Sequence, residues 1–221
     1  LDRNQVRSSI ARQLGMDIGG LIKSDRQVEG VVEMMLDATQ KFNKSLSIGR
    51  LYGWHAALFP TGRSGLTKIR AGGLRDDRTG PMQVISGPIE KPKVHFQALD
   101  AERLKLEMRL FLTWFNGKKP MDSILRAGLA HLWFVTIHPF DDGNGRIARA
   151  IADMSLARSE DSPKRFYSMS AQICAERKAY YHILESTQKG DLGITDWLEW
   201  FLNCLGRALE GAETILATVL L

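Results

Sequence analysis

A chain of 221 residues, 44% hydrophobic and 25% charged, is long enough to bury one sizeable core without staples and too short for two full-sized packed domains. Its mean hydropathy of -0.18 excludes disordered, collagen-like and coiled-coil chains, and no apolar stretch reaches the ~18 residues of a membrane span. The net charge of +5 and pI near 9.3 raise nucleic acid as a partner; with no block of five like charges, a solvated basic surface is the simpler reading.

The first predicted element is a short amphipathic helix over 4–14, with Val6, Ile10 and Leu14 four apart and Gly15 as its stop. After Gly19-Gly20, Ser24 is placed to cap a helix whose Val28, Val31, Val32, Met35, Leu36 and Phe42 bury one face. An apolar run over 51–59 ends at Pro60. Glycines and prolines between 61 and 92 disfavour helix. Within and just beyond that stretch, 82–86 and 93–97 have strand chemistry and are predicted to pair as a hairpin around 87–92, alone on a helical body. Helix resumes at Asp100 and ends at Asn116-Gly117 and Pro120. The next run, 124–137, is apolar nearly all round and belongs at the centre of the domain. Pro139 pushes His138 out of the α region, so that helix should stop there. Further helices are expected over 145–158, 171–188 and 195–216. The class is mainly α.

Cys174 and Cys204 have no metal-ligand spacing and make no disulfide framework, so a reduced compartment and a cytoplasmic location are expected. The N-terminus has no apolar signal segment, and it opens without Met, which suggests a longer parent.

Chemistry concentrates in His138-Pro-Phe-Asp-Asp-Gly-Asn-Gly-Arg-Ile-Ala-Arg149. Gly143, Asn144 and Gly145 form a turn at a helix start, where free N–H groups and the positive end of the dipole favour phosphate. At 100° per residue Arg146, Arg149 and Asp153 share one sector of the following helix, and Ile147, Ala150, Ile151 and Met154 the opposite one. Paired arginine forks suit a polyphosphate. Asp142 offers a hard oxygen to Mg²⁺, and His138 a base that can be neutral at pH 7. Each feature alone reads as a turn, a structural histidine or a surface charge. Their coincidence within twelve residues points to transfer of a phosphate-containing group.

That stretch resembles the signature of the Fic family, HPFx(D/E)GNGRxxR, at every specified position, and the likeness extends from about Val6 to Leu202. The resemblance implies a Fic fold: a helical bundle around a buried central helix with a β-hairpin flap. It implies one catalytic domain over 1–221, divided into N-terminal helices (1–60), loop and flap (61–98), catalytic core (99–205) and a C-terminal helix (206–221). The implied activity is transfer of AMP from ATP to a Ser, Thr or Tyr hydroxyl of a protein, with Mg²⁺. His138 would be the base, Phe140 an anchor of the loop, Asp142 the metal ligand, Gly143, Asn144 and Gly145 the cradle for the α- and β-phosphates, and Arg146 and Arg149 the holders of the β- and γ-phosphates; Asp141 receives no role. Gln83, Val84, Ile85, Lys93, Val94 and His95 of the flap would dock the target by strand addition, with His95 facing outward. Tyr180, Tyr181 and Gln188 would contact the nucleoside, core packing being the alternative for the two tyrosines.

His55 and His131 are expected to be structural, and Trp197 and Trp200 to seal the core. Many relatives are restrained by a helix bearing (S/T)xxxE(G/N), whose glutamate pairs with the second motif arginine, here Arg149. No match occurs in this sequence; Glu210-Gly211 comes nearest, with Gly206 where Ser or Thr is needed. The opening residues resemble the segment just after that helix in relatives that carry it N-terminally, so a missing upstream segment and an unrestrained chain are expected. Removal of AMP by the same site is an alternative. Transfer of another phosphate-containing group is a second, against which Gly145 speaks, since phosphorylating relatives carry Lys there. A basic DNA-binding module is a third, of another class, and is disfavoured by the intact motif.

Overall fold

The run predicted to lie at the centre is the helix Ser123–Ile137 (α5 in chain order) of the computed structural model, which describes residues 2–16, 19–88, 91–118, 120–191 and 193–220. Asp122 starts α5 by accepting the N–H groups of Ile124 and Leu125. Ala127, Ala130, Phe134 and Ile137 are then fully buried. Around α5 pack α4 (Leu104–Asn116), α6 (Asn144–Glu160) and α9 (Thr195–Leu220), while α1 (Arg3–Gln13), α2 (Arg26–Gln40) and α3 (Ile48–Leu58) extend the bundle on the α6 side. α7 (Met169–Ala175) and α8 (Arg177–Lys189) complete it. Trp197 is buried in the core, its indole N–H donating to the carbonyl of Gly128 at 2.9 Å, and Trp200 is half-buried beside it.

Helices α2 and α3 approach so closely that a Cβ on Gly30 would lie 1.9 Å from the carbonyl oxygen of Ala57. Helix propensity alone favours Gly30→Ala by roughly 1 kcal/mol. The clash with backbone reverses the sign, and the variant is expected to lose about 1–3 kcal/mol, read as a lower urea midpoint. A raised midpoint would show that the two helices part without cost.

Several local expectations are corrected. Ser24 does not cap α2: Asp25 takes that place, and the Ser24 hydroxyl instead accepts from Arg12 and donates to the carbonyl of Gln5, pinning α1 to the start of α2. The helix expected over 171–188 is two, broken at Glu176, whose carboxylate is gripped through both oxygens by Arg207 of α9 at 2.6 Å. α9 runs unbroken across 205–206, and Leu221 lies outside the described residues.

The predicted hairpin forms from β3 (Gln83–Ser86) and β4 (Lys93–Gln97), antiparallel, with Gln83 opposite Gln97 and Val84 opposite Phe96. A bulge between Val84 and Ile85 then sets Ile85 against Val94. Residues 89 and 90 of its turn lie outside the described residues. A second hairpin precedes it, β1 (Arg63–Ser64) with β2 (Thr67–Lys68), turning at Gly65 with φ +55°. Nor does the flap hairpin stand alone. Val94 faces solvent, so its neighbour His95 points to the opposite face, where its ring takes Glu185 of α8 at 2.7 Å and Ser86 at 2.6 Å. The expectation of an outward His95 is thereby overturned.

Candidate active site

α5 ends on His138, which adopts the left-handed conformation, φ 51° and ψ 57°. Pro139 denies this residue the α region, and a non-glycine residue held so is strained. Its amide still reaches the Phe134 carbonyl at 3.1 Å. The ring nitrogen Nδ1 lies 3.1 Å from the Val135 carbonyl; a carbonyl only accepts, so Nδ1 carries the proton and Nε2 the lone pair. Burial holds the imidazole pKa down at about 4, against the Val135 hydrogen bond, and the Arg75 charge pushes the same way against Asp142. The imidazole is neutral at pH 7.

After Pro139 the chain is fastened from inside. The Phe140 ring is fully buried and stacks on His55, centroids 4.2 Å apart and planes 10° apart. Asn144 is 2% exposed, and its amide pairs with the Phe140 backbone, accepting from N at 3.0 Å and donating to O at 2.8 Å. Of Asn144, then, the side chain holds the loop and only the main chain is left for an anion. Gly143 has φ +82°, and a Cβ there would come 2.9 Å from the Phe59 ring. Its carbonyl receives the Ile147 amide, opening α6, whose first N–H groups have no partner within the helix.

The charged groups gather at that end. Asp142 is half-exposed, receives the Ser64 hydroxyl and stands 3.7 Å from Arg146. The Arg146 guanidinium lies over the Phe59 ring, 4.7 Å from its centroid. Arg149 is half-buried, and among the described residues no hydrogen bond, ion pair or ring contact engages it. Asp153, one turn on, faces inward: it is buried with Arg165 at 3.5 Å, and burial raises its pKa to about 6.

Of the residues assigned to the nucleoside, Tyr180 is 3% exposed, with its hydroxyl 2.9 Å from Nε2 of His131. Tyr181 is the ring that solvent reaches. Gln188 donates to the Thr136 hydroxyl at 3.1 Å, two residues before His138. On the flap, Ile85 and Val94 are exposed apolar side chains.

Four residues grip the loop from behind, and sequence reasoning missed three of them, having expected His55 to be structural. Buried His55 accepts the Gly72 amide at Nδ1, so its Nε2–H donates to the Asp142 carbonyl at 3.1 Å. Ser64 holds the Asp142 carboxylate, and the Arg70 amide donates to Asp141 at 2.7 Å, giving Asp141 a structural task. Arg75, 3% exposed, donates to the His138 carbonyl at 2.8 Å. Only His55 carried a signal, as a polar residue on an apolar helix.

A family model described as the Fic/DOC family matches residues 45–156. Protein adenylyltransferase Fic from Drosophila ananassae is 32% identical over 109 residues, 48% of this chain and 20% of that protein. Its counterpart from Drosophila grimshawi is 31% identical over 109 residues, 48% and 21% of the two chains. The matched part is thus about a fifth of the length of these curated relatives. A Fic family protein from Desulfovibrio desulfuricans superposes with a TM-score of 0.66 at 22% identity, over 97% of this chain and 60% of that one. A Fic-domain-containing signaling protein from Bacteroides thetaiotaomicron gives 0.66 at 19%, over 96% and 79%. These solved structures share the fold.

Proposed function

The chain belongs to the Fic/DOC family, and on that premise we propose that it transfers AMP from ATP to a Ser, Thr or Tyr hydroxyl of a protein, releasing pyrophosphate. The observation that carries the reading is a neutral His138 with Nε2 as its free base, followed within six residues by a helix N-terminus and then by Arg149, which makes no ion pair among the described residues. His138 takes the hydroxyl proton at Nε2 as the oxygen bonds to the α-phosphorus and the bond to the leaving pyrophosphate breaks. The first N–H groups of α6, with Arg146 and Arg149, hold the negative charge that shifts onto the phosphates.

Asp142 fits a magnesium ligand. Its carboxylate is half-exposed, and Mg²⁺ is commonly held by one or two carboxylates together with substrate phosphates. Among the described residues no cluster of three His, Cys, Asp or Glu is placed to hold a metal by itself, so the substrate phosphates would have to supply the remaining ligands. When bound, the ion would supply charge neutralisation at the phosphates. Tyr181 and Gln188 are proposed to border the nucleoside with Tyr180 as its buried backing. Gln83, Val84, Ile85, Lys93 and Val94 are proposed to meet the target, a role the exposure of Ile85 and Val94 supports. Free Cys174 and Cys204 are consistent with a cytoplasmic setting, and among the described residues no helix is long and apolar enough to cross a membrane.

Asp142→Ala and Arg149→Ala are each expected to weaken Mg·ATP binding by about 1.5–3 kcal/mol, or about 10- to 150-fold, measured by calorimetry. Unchanged affinity in both would remove the metal and phosphate roles. The reaction itself is tested with labelled ATP, Mg²⁺ and cell lysate, the label being located by mass spectrometry. With no carboxylate on Arg149 among the described residues, residues 1–221 should label themselves. Fusing a helix that bears (S/T)xxxE(G/N) ahead of residue 1 is proposed to suppress the labelling. ATP binding without AMP on any hydroxyl would refute the activity.

A further inference from the structure

Arg75 lies between the two hairpins with its side chain wholly covered. A buried guanidinium is costly unless its donors are matched, and here they are matched in three directions. Nε donates to the His138 carbonyl at 2.8 Å, Nη1 meets Asp77 at 2.6 Å, and Nη2 donates to the Leu99 carbonyl. The Arg75 amide adds a bond to the Pro139 carbonyl at 3.0 Å. Asp77, held by Arg75, accepts the amide of Ala101. Leu99 and Ala101 come just after the base of the flap, which closes where the Ala98 amide meets the Met82 carbonyl.

One side chain therefore grips the loop at His138 and the root of the flap at Leu99. A left-handed non-glycine residue persists only where its surroundings over-determine it, and Arg75 fixes the carbonyls on both sides of the 138–139 step. We infer that Arg75 is a positioning residue for AMP transfer: it holds His138 in its left-handed turn and ties that turn to the root of the β3–β4 hairpin, keeping base and docked hydroxyl in register. The inference rests on the adenylyl-transfer reading. Lysine cannot replace it, because an ammonium on a flexible stem lacks the planar fork that spans three fixed acceptors.

The test uses Arg75→Lys, Arg75→Met and Asp77→Asn in residues 1–221. Calorimetry gives Mg·ATP affinity, self-labelling at saturating ATP gives the rate, and ¹⁵N spectra of the His138 ring give its tautomer. Arg75→Lys is expected to label about 10- to 100-fold more slowly, the scale of a misplaced reacting group, with Mg·ATP affinity within about threefold of the parent. Arg75→Met should be slower still and Asp77→Asn intermediate. In each folded variant the Nδ1–H tautomer should give way to a mixture. Parental rate and ring spectrum in Arg75→Lys would overturn the inference, as would a rate loss matched by an equal loss of affinity. If the Met variant does not fold, the other two decide. If the parent transfers no AMP, the activity proposal fails and the spectra alone decide: an unchanged tautomer in Arg75→Lys overturns the positioning role, and a mixture sustains it.

Discussion

His138→Ala is expected to slow AMP transfer by about 10²- to 10⁴-fold, the range of a lost general base, while Mg·ATP affinity stays within about threefold of the parent. In the proposed mechanism the imidazole acts on the acceptor hydroxyl, and the phosphates are held elsewhere, by α6 and its arginines. Rapid-quench labelling beside calorimetry checks both halves, and a variant as fast as the parent would sink the assignment. The pH dependence has a definite sign. The base works when unprotonated, and its pKa is held near 4, so the acid limb of the rate should fall through about pH 4. A limb near the ordinary imidazole value of ~6.5 would mean that His138 is solvated in the working enzyme. Stability moves in the same sense: the unfolded chain takes up protons on His138 between about 6.5 and 4 while the native one does not, so the fold weakens as pH drops through that window.

Asn144→Ala is expected to cost about 2–5 kcal/mol, a large part of the ~5–15 kcal/mol that typically holds a domain together. The substitution strips both partners from the Phe140 backbone, leaving a buried N–H and a buried carbonyl unmatched. Asn144→Asp still accepts from the Phe140 amide but sets a carboxylate against the carbonyl, so it should recover only part of the loss. Urea unfolding of the three proteins gives the order, and the alanine variant, where folded, should bind Mg·ATP weakly because the turn that starts α6 is no longer fixed. Parental stability in Asn144→Ala would show that the loop needs no such tie.

The elements that are legible in the sequence are those whose cause is local. α5 is apolar nearly all round and stops at a proline, so both its depth and its end can be read. The break at Glu176 cannot, because the arginine that takes its carboxylate lies 31 residues away on another helix. β1 and β2, two residues each, are too short to show a period of two. The inward face of His95 is hidden because its partner Glu185 is 90 residues distant and the bulge that sets the strand face leaves no mark in composition. At the site, the twelve-residue stretch declares its chemistry through residue types alone. The groups that aim that chemistry stay out of sight, since His55 and Arg75 reach the loop across 87 and 63 positions from segments whose own pattern says only helix or turn.

The cage behind the loop also sets a limit for protein engineering. The carbonyls of His138, Pro139 and Asp142 and the carboxylate of Asp141 are all held by groups between His55 and Arg75. Residues 138–149 are therefore no portable cassette. Grafted onto another helical hairpin they would bring the imidazole and the arginines without the mount that aims them. A transplantable unit needs at least the stretches 55–77 and 138–149 together with the carbonyls of Leu99 and Val135, and the glycine-rich first stretch tolerates less redesign than its turn-like composition suggests.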